Sequence, residues 1–205
     1  MEDRRSRKRD KTRHALLGSA LELFAEKGIY EPSIGEITAH ADVGKGTFYQ
    51  YFASREVLIA ELVEGGFDLL LAEVQGRVSN APEGAERLPL ILEAHSAFFE
   101  EHPNYLLLFH QARGWMKMAR HHSASLRGAF SNYVQNLGAV AGVAPRTDAE
   151  PCSRQAIVLA GFIAGVLSFD KILGFPRGSG RLSHYFALLA EVAPRCLGPG
   201  RSDRP

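Results

Sequence analysis

Apolar residues recur every three to four positions along most of the chain, the period of helices buried on one side. The first such stretch predicts a helix from about Asp10 to Lys27, with Leu17, Ala20, Leu21 and Phe24 as its apolar stripe and Gly28 as the residue just past its end. Ile29 and Tyr30 are expected to tuck under this helix, and Pro32 keeps Glu31 extended. Ser33 and Glu36 then form an S-x-x-E capping box, which satisfies two orphan amides and fixes where a second helix starts. That helix has a narrow apolar face at Ile37 and Ala41 and is broken by Asp42-Val43-Gly44. Asp tolerates a positive φ better than most side chains, so it suits a sharp turn. Gly44 can cap a third, short helix from Lys45 to Phe52, with Val43 and Phe48 at hydrophobic-staple spacing.

Phe48 and Phe52 are expected to point inward, which leaves Lys45, Gly46, Thr47, Tyr49 and Gln50 on the exposed start of the short helix. A cation, a hydroxyl, an amide and a phenol at a helix N-terminus suit DNA. Phosphates favour the positive end of the helix, while Thr and Gln can read base edges in the major groove. Ile37, Ala41 and Val43, the run Gly46-Thr47-Phe48-Tyr49-Gln50-Tyr51-Phe52, and Ser54-Arg55-Glu56 with Leu58 together resemble the helix-turn-helix signature of the TetR family of repressors. The detailed likeness covers about the first sixty residues. Asp42 stands where that family usually has glycine, Gly44 where it has Ser or Thr, and Thr38 where it has Ala. The first two changes are expected to weaken the turn and the cap. The DNA-binding set so indicated is Ser33, Lys45, Gly46, Thr47, Tyr49, Gln50, Tyr51 and Arg55. Ser33 is both a cap and a phosphate donor. Lys45, Tyr49, Tyr51 and Arg55 hold phosphates, and Thr47 and Gln50 read bases.

Ser54 caps a long helix over about Arg55–Val78, whose apolar side is drawn from Leu58, Leu62, Leu69 and Val74. Gly65-Gly66 interrupts it, either for close packing against a neighbour or as a flexible point. After the SNAPEG loop the helical period continues: Leu88–Glu101, Pro103 to about Arg113, Ala124–Val140, Cys152–Leu173 and Arg181–Leu197. Small residues at Ala156, Ala160, Gly161, Ala164 and Gly165 let another helix approach closely. The resemblance implies that the last two helices pair with their mates from a second copy, through Ala160, Ala164, Tyr185, Phe186 and Leu189. A two-fold dimer matches a palindromic operator.

The net charge of +1 gives no global basic field, so affinity for DNA must come from local clustering. The first thirteen residues supply one such cluster: Arg4, Arg5, Arg7, Lys8, Arg9, Lys11 and Arg13 outnumber Glu2, Asp3 and Asp10. This segment reads as a solvated tail or as an arm on the phosphate backbone or in the minor groove. Cys152 and Cys196 fit no zinc or thioredoxin spacing and suit a reducing cytoplasm. The charged N-terminus is no signal peptide, and the apolar run Ala156–Leu167 is shorter than the about 20 residues a bilayer requires.

The middle of the chain is rich in large, soft side chains. Phe98, Phe99, Phe109, Trp115, Met116, Phe130, Tyr133 and Phe162 are candidates to line a pocket for a hydrophobic or aromatic effector, with His95 and His110 as polar orienting groups. His95, His102, His110, His121 and His122 raise a rival reading as a metal sensor, although no H-E-x-x-H or Cys-x-x-Cys is present. A helical ligand-binding module that does not bind DNA is a further alternative. Enzymatic chemistry is not expected: there is no phosphate-binding glycine loop and no nucleophile elbow. No cofactor is implied. The expectation is an all-α protein: a three-helix helix-turn-helix domain over residues 1–53, an effector-binding and dimerisation domain over 54–198, and a disordered tail over 199–205. Its partners are palindromic double-stranded operator DNA, a small-molecule effector and a second copy of itself, with no membrane.

Overall fold

The computed structural model describes residues 4–82, 86–118, 123–143 and 153–172. Within them the chain is helical: α1 (Arg4–Lys27), α2 (Ile34–His40), α3 (Lys45–Phe48), α4 (Arg55–Val78), α5 (Arg87–Glu101), α6 (Pro103–Met118), α7 (Ser123–Val140) and α8 (Arg154–Ile172). No strand occurs among the described residues, and none of the helices is long and apolar enough to cross a membrane. The expected helix over 181–197, with Tyr185, Phe186 and Leu189, lies outside the described residues, as do His121, His122, Cys152 and Cys196. The chain divides into two compact units: residues 1–66 with 102–129, and residues 67–101 with 130–205. The unit that holds α2 and α3 thus takes in the first part of α4 and all of α6, beyond the boundary at 53 expected from the sequence.

The first unit is built on α1, which packs against α2 and α6. Its buried row is Leu16, Ala20, Leu23 and Phe24, with Ser19. Leu17 and Leu21 are only half-buried, so the true stripe is turned by about one position from the one expected. The reason is that α1 is held from two sides, by α2 and by α6, and the residues facing both are those spaced around Ala20. The helix also begins at Arg4, so the basic segment is helical rather than a loose tail. Gly28, at φ 86°, ends α1, and its amide donates to Phe24 O at 3.0 Å. This simple left-handed cap leaves the Ile29 amide over. The carboxamide of Gln111 on α6 accepts from it at 2.7 Å.

In the second unit Phe67, Leu70, Leu71, Val74 and Val78 of α4 are buried with Leu88, Ile91, Leu92 and Phe98 of α5. Leu69, chosen from the sequence as a core residue, is 53% exposed. The helical row that is buried runs through Phe67, Leu70 and Val74 instead. Arg87 closes the loop before α5, donating to Ala81 O and, at 3.1 Å, to Val140 O at the end of α7. Ser153 caps α8 by accepting from the Ala156 amide at 3.0 Å, and α5 packs on α8.

The two glycines in α4 differ. A Cβ on Gly66 would stand 2.5 Å from two ring carbons of Tyr105 and 2.9 Å from Phe109 Cζ, whereas one on Gly65 would meet nothing within 4 Å. Close packing therefore accounts for Gly66. Gly66→Ala should lower stability by about 1–3 kcal/mol through overpacking. Gly65→Ala, in a helix interior with free space, should raise stability by up to about 1 kcal/mol. Denaturant midpoints for the two single variants check this; equal effects would remove the packing explanation.

Candidate nucleic-acid interface

Each end of α2 is fixed by its own sequence. Ser33, the N-cap, accepts from the Glu36 amide at 3.2 Å, and Glu36 Oε2 accepts from the Ser33 amide at 2.9 Å, which completes the capping box. Glu36 also binds Lys27 Nζ at 3.0 Å, tying the start of α2 to the end of α1. The Ser33 backbone amide, followed by Lys27, holds the Glu36 carboxyl down at about 2, and the same contact raises the Lys27 ammonium. At the other end Asp42 adopts φ 53°. Its amide donates to Ala39 O at 3.2 Å and the Val43 amide to Thr38 O at 2.9 Å, the double bond pattern of a Schellman turn. Asp thus fills the left-handed position that glycine usually fills. Thr38, unexpected on a buried face, is satisfied within its helix: its hydroxyl donates to Ile34 O at 2.9 Å and Gly35 O at 3.0 Å.

Gly44 caps α3 in extended conformation with no side-chain bond to it. The α-helix is shorter than expected, Lys45–Phe48 rather than 45–52. Beyond it the chain tightens: the Gln50 amide bonds Thr47 O at 3.1 Å and the Tyr51 amide bonds Phe48 O at 3.0 Å, both three residues back. The cause is the pair Phe48 and Phe52, both fully buried, whose rings lie 5.5 Å apart. Anchoring both rings turns the backbone inward after Phe48. Lys45, Gly46, Tyr49 and Gln50 stay exposed, and Thr47 and Tyr51 are half-buried. A cation, an amide and a phenol therefore share one exposed face with a glycine at which an added Cβ would meet nothing within 4 Å.

Two of the proposed DNA contacts have structural work. The Ser33 hydroxyl donates to Glu36 Oε2 at 2.9 Å. Arg55 Nη1 donates to Pro32 O at 2.8 Å and Tyr30 O at 3.0 Å, which ties the α1–α2 connection to the start of α4. No local pattern encodes these bonds, because the acceptors are backbone carbonyls some two dozen positions away.

The candidate effector residues are distributed over both units. Phe109, His110, Trp115 and Met116 belong to the first, and His95, Phe98, Phe99, Phe130, Tyr133 and Phe162 to the second. His110, expected beside an apolar face, is exposed, with Nδ1 3.5 Å from Arg113 Nη2. His95 is fully buried. Its Nδ1 lies 2.6 Å from Ile91 O, an acceptor only, so Nδ1 carries the proton. Nε2, 2.7 Å from the Tyr133 hydroxyl, then accepts from it. Tyr133 in turn stacks on Phe67 at 4.3 Å, and Phe130 meets Phe67 edge-on at 4.9 Å. Phe67 is the residue of this cluster that periodicity missed. Both His95 nitrogens are satisfied inside the protein. Among the described residues no three His, Cys, Asp or Glu side chains form a metal-ligand set.

Residues 16–62 match the family model for "Bacterial regulatory proteins, tetR family". The HTH-type transcriptional repressor KstR2 of Mycobacterium tuberculosis is 30% identical over 97 residues, 47% of this chain and 48% of that protein. The chain spans about half the length of curated relatives of this kind. Among solved structures, the fatty acid degradation regulator FadR of Bacillus halodurans superposes with a TM-score of 0.70 at 14% identity, covering 92% of this chain and 99% of that one. FadR of Bacillus subtilis, solved in complex with stearoyl-CoA, gives 0.70 at 15% identity over 88% and 96%. At these identities the structures establish the fold.

Burial pushes the His95 imidazole from 6.5 down to about 4. The unfolded chain therefore binds a proton that the folded chain refuses. The stability this neutral ring contributes is complete above pH 6.5 and is lost as pH falls toward 4. Between pH 7 and pH 5 the loss should be about 2 kcal/mol. Denaturant midpoints at the two pH values should fall further for the wild type than for His95→Leu/Tyr133→Phe, where both polar partners are gone.

Proposed function

We propose that this chain, a member of the tetR family of bacterial regulatory proteins by its residues 16–62, is a dimeric transcriptional repressor released from operator DNA by a small apolar molecule. The observation that carries the DNA-reading part is the exposed face of Lys45, Gly46, Tyr49 and Gln50, held outward by the buried pair Phe48 and Phe52. Lys45 and Tyr49 hold phosphates, Gln50 and Thr47 meet base edges, and Tyr51 supports the backbone contact. Occupation of the operator is what represses. The likeness to a repressor such as KstR2 supports that sign of control.

Dimerisation through α8 is supported by its exposed apolar row. Ile157, Gly161, Gly165 and Phe169 follow one another by a helical turn, and Ile157, Val158 and Phe169 are 52%, 58% and 65% exposed. Ala160 and Ala164 flank this row and are half-buried. Two copies joined in this way would set the spacing of two reading faces against successive major-groove segments, about 34–36 Å apart for adjacent half-sites. The apolar side chains around Phe67, Phe130 and Tyr133 support an apolar effector, as does the fold shared with a stearoyl-CoA-binding regulator. An effector acts here by favouring the dimer geometry that no longer matches the operator.

Lys45→Ala should weaken binding to every duplex and lower the slope of log affinity against log salt by about one per protomer. Gln50→Ala should instead change which sequences survive selection from a random duplex pool. Identical behaviour of the two variants would remove the division of roles. Ile157→Glu/Phe169→Glu should shift the chain from dimer to monomer in sedimentation; a dimer that persists in the double variant would exclude α8 as the interface.

A further inference from the structure

Two cations of α1, Arg9 and Arg13, stand one helical turn apart on one row, and both lie against the aromatic residues that end the reading segment. The Arg13 guanidinium sits over the Phe52 ring, 6.0 Å from its centroid, and pairs with the Glu61 carboxylate of α4. The Arg9 guanidinium sits over the Tyr51 ring, also at 6.0 Å, and among the described residues no acidic group pairs with it. The two positions are geometrically alike and electrically different. Arg13 has its charge balanced by a carboxylate and rests on a fully buried ring. Arg9 is exposed and rests on a half-buried one.

We propose that Arg9 is a direct phosphate ligand of this protein, seated by the Tyr51 ring, so that α1 and the end of the reading segment together clamp one backbone phosphate beside the groove that α3 enters. This rests on the DNA-reading function proposed above and adds to it a contact from α1. The ring serves two purposes. It removes part of the rotamer freedom of a long side chain before DNA arrives, and it leaves the guanidinium edge, with its planar fork of donors, for a phosphate. Arg13, one turn deeper, is a brace between α1, Phe52 and α4 and makes no DNA contact. The basic segment at the start of α1 is therefore divided: the inner cation fixes the fold, and the next one out meets the nucleic acid.

The test uses the full chain with two probes, a random-sequence duplex and a duplex enriched from a random pool on the wild type. Arg9→Ala should lower affinity for both probes about equally and reduce the salt slope by roughly one per protomer, with the thermal midpoint unchanged. Arg9→Lys keeps the charge but not the plane, so it should keep the slope and bind several-fold more weakly. Tyr51→Leu should lower affinity, and Arg9→Ala should then cost less in that background than in the wild type. Arg13→Ala should lower the thermal midpoint and leave the slope as it was. A wild type that binds both probes while Arg9→Ala keeps the full slope would overturn the clamp and leave the reading face standing. Equal loss of slope in Arg13→Ala would overturn the division between the two cations. A wild type that binds neither probe at low salt would overturn the proposed function and the clamp together.

Discussion

A helix of four residues cannot hold itself in water, since nucleation alone exceeds what so few backbone bonds return. Everything exposed on α3 therefore depends on Phe48 and Phe52, whose rings are fully buried and fix the segment from its inner side. The capping box before α2 and the Schellman turn after it set the direction from which the chain arrives. With the inner side so anchored, Lys45, Gly46, Tyr49 and Gln50 have nowhere to face but out. The polar face follows from an apolar constraint.

The charges around this segment divide by partner. Lys27, Arg13 and Arg55 are engaged with protein groups: the Glu36 carboxylate, the Glu61 carboxylate, and the carbonyls of Tyr30 and Pro32. Each holds one helix or connection against another. A chain of net charge +1 can still present a local cationic patch when carboxylates such as Glu36 and Glu61 are already paired within the fold. Exposed pairs such as Lys27–Glu36 contribute orientation more than energy.

The second unit shows the same economy with a polar group in a dry core. His95 is fully buried there and is kept neutral by that burial, while its two nitrogens are bonded to Ile91 O and to the Tyr133 hydroxyl. Satisfied in this way, it orients Tyr133, whose ring lies parallel on Phe67 within 13°. A buried polar pair with complete bonding specifies one arrangement of neighbouring aromatic rings where apolar groups alone would tolerate several.

What the chain by itself determined was local. The Ser33–Glu36 box, the left-handed Asp42, the Gly44 cap and the inward Phe48–Phe52 pair were all legible, because each depends on residues within a few positions of one another. The all-helical class followed from the same short-range period. What only the tertiary structure decided was which neighbour each helix faces. Periodicity gives the width of an apolar stripe but not its exact rotation, so Leu17 and Leu69 were chosen where Leu16 and Phe67 are buried. Gly65 and Gly66 are indistinguishable in sequence, and the Tyr105 ring separates them. Arg55 and Ser33 read as DNA contacts, and the structure adds the protein atoms that each also meets; His110 reads as a polar group beside an apolar face, and its face of α6 is exposed. The physical reason is one of range: caps and turns are closed by bonds between near neighbours, whereas burial and the pairing of long side chains are settled by residues tens of positions away.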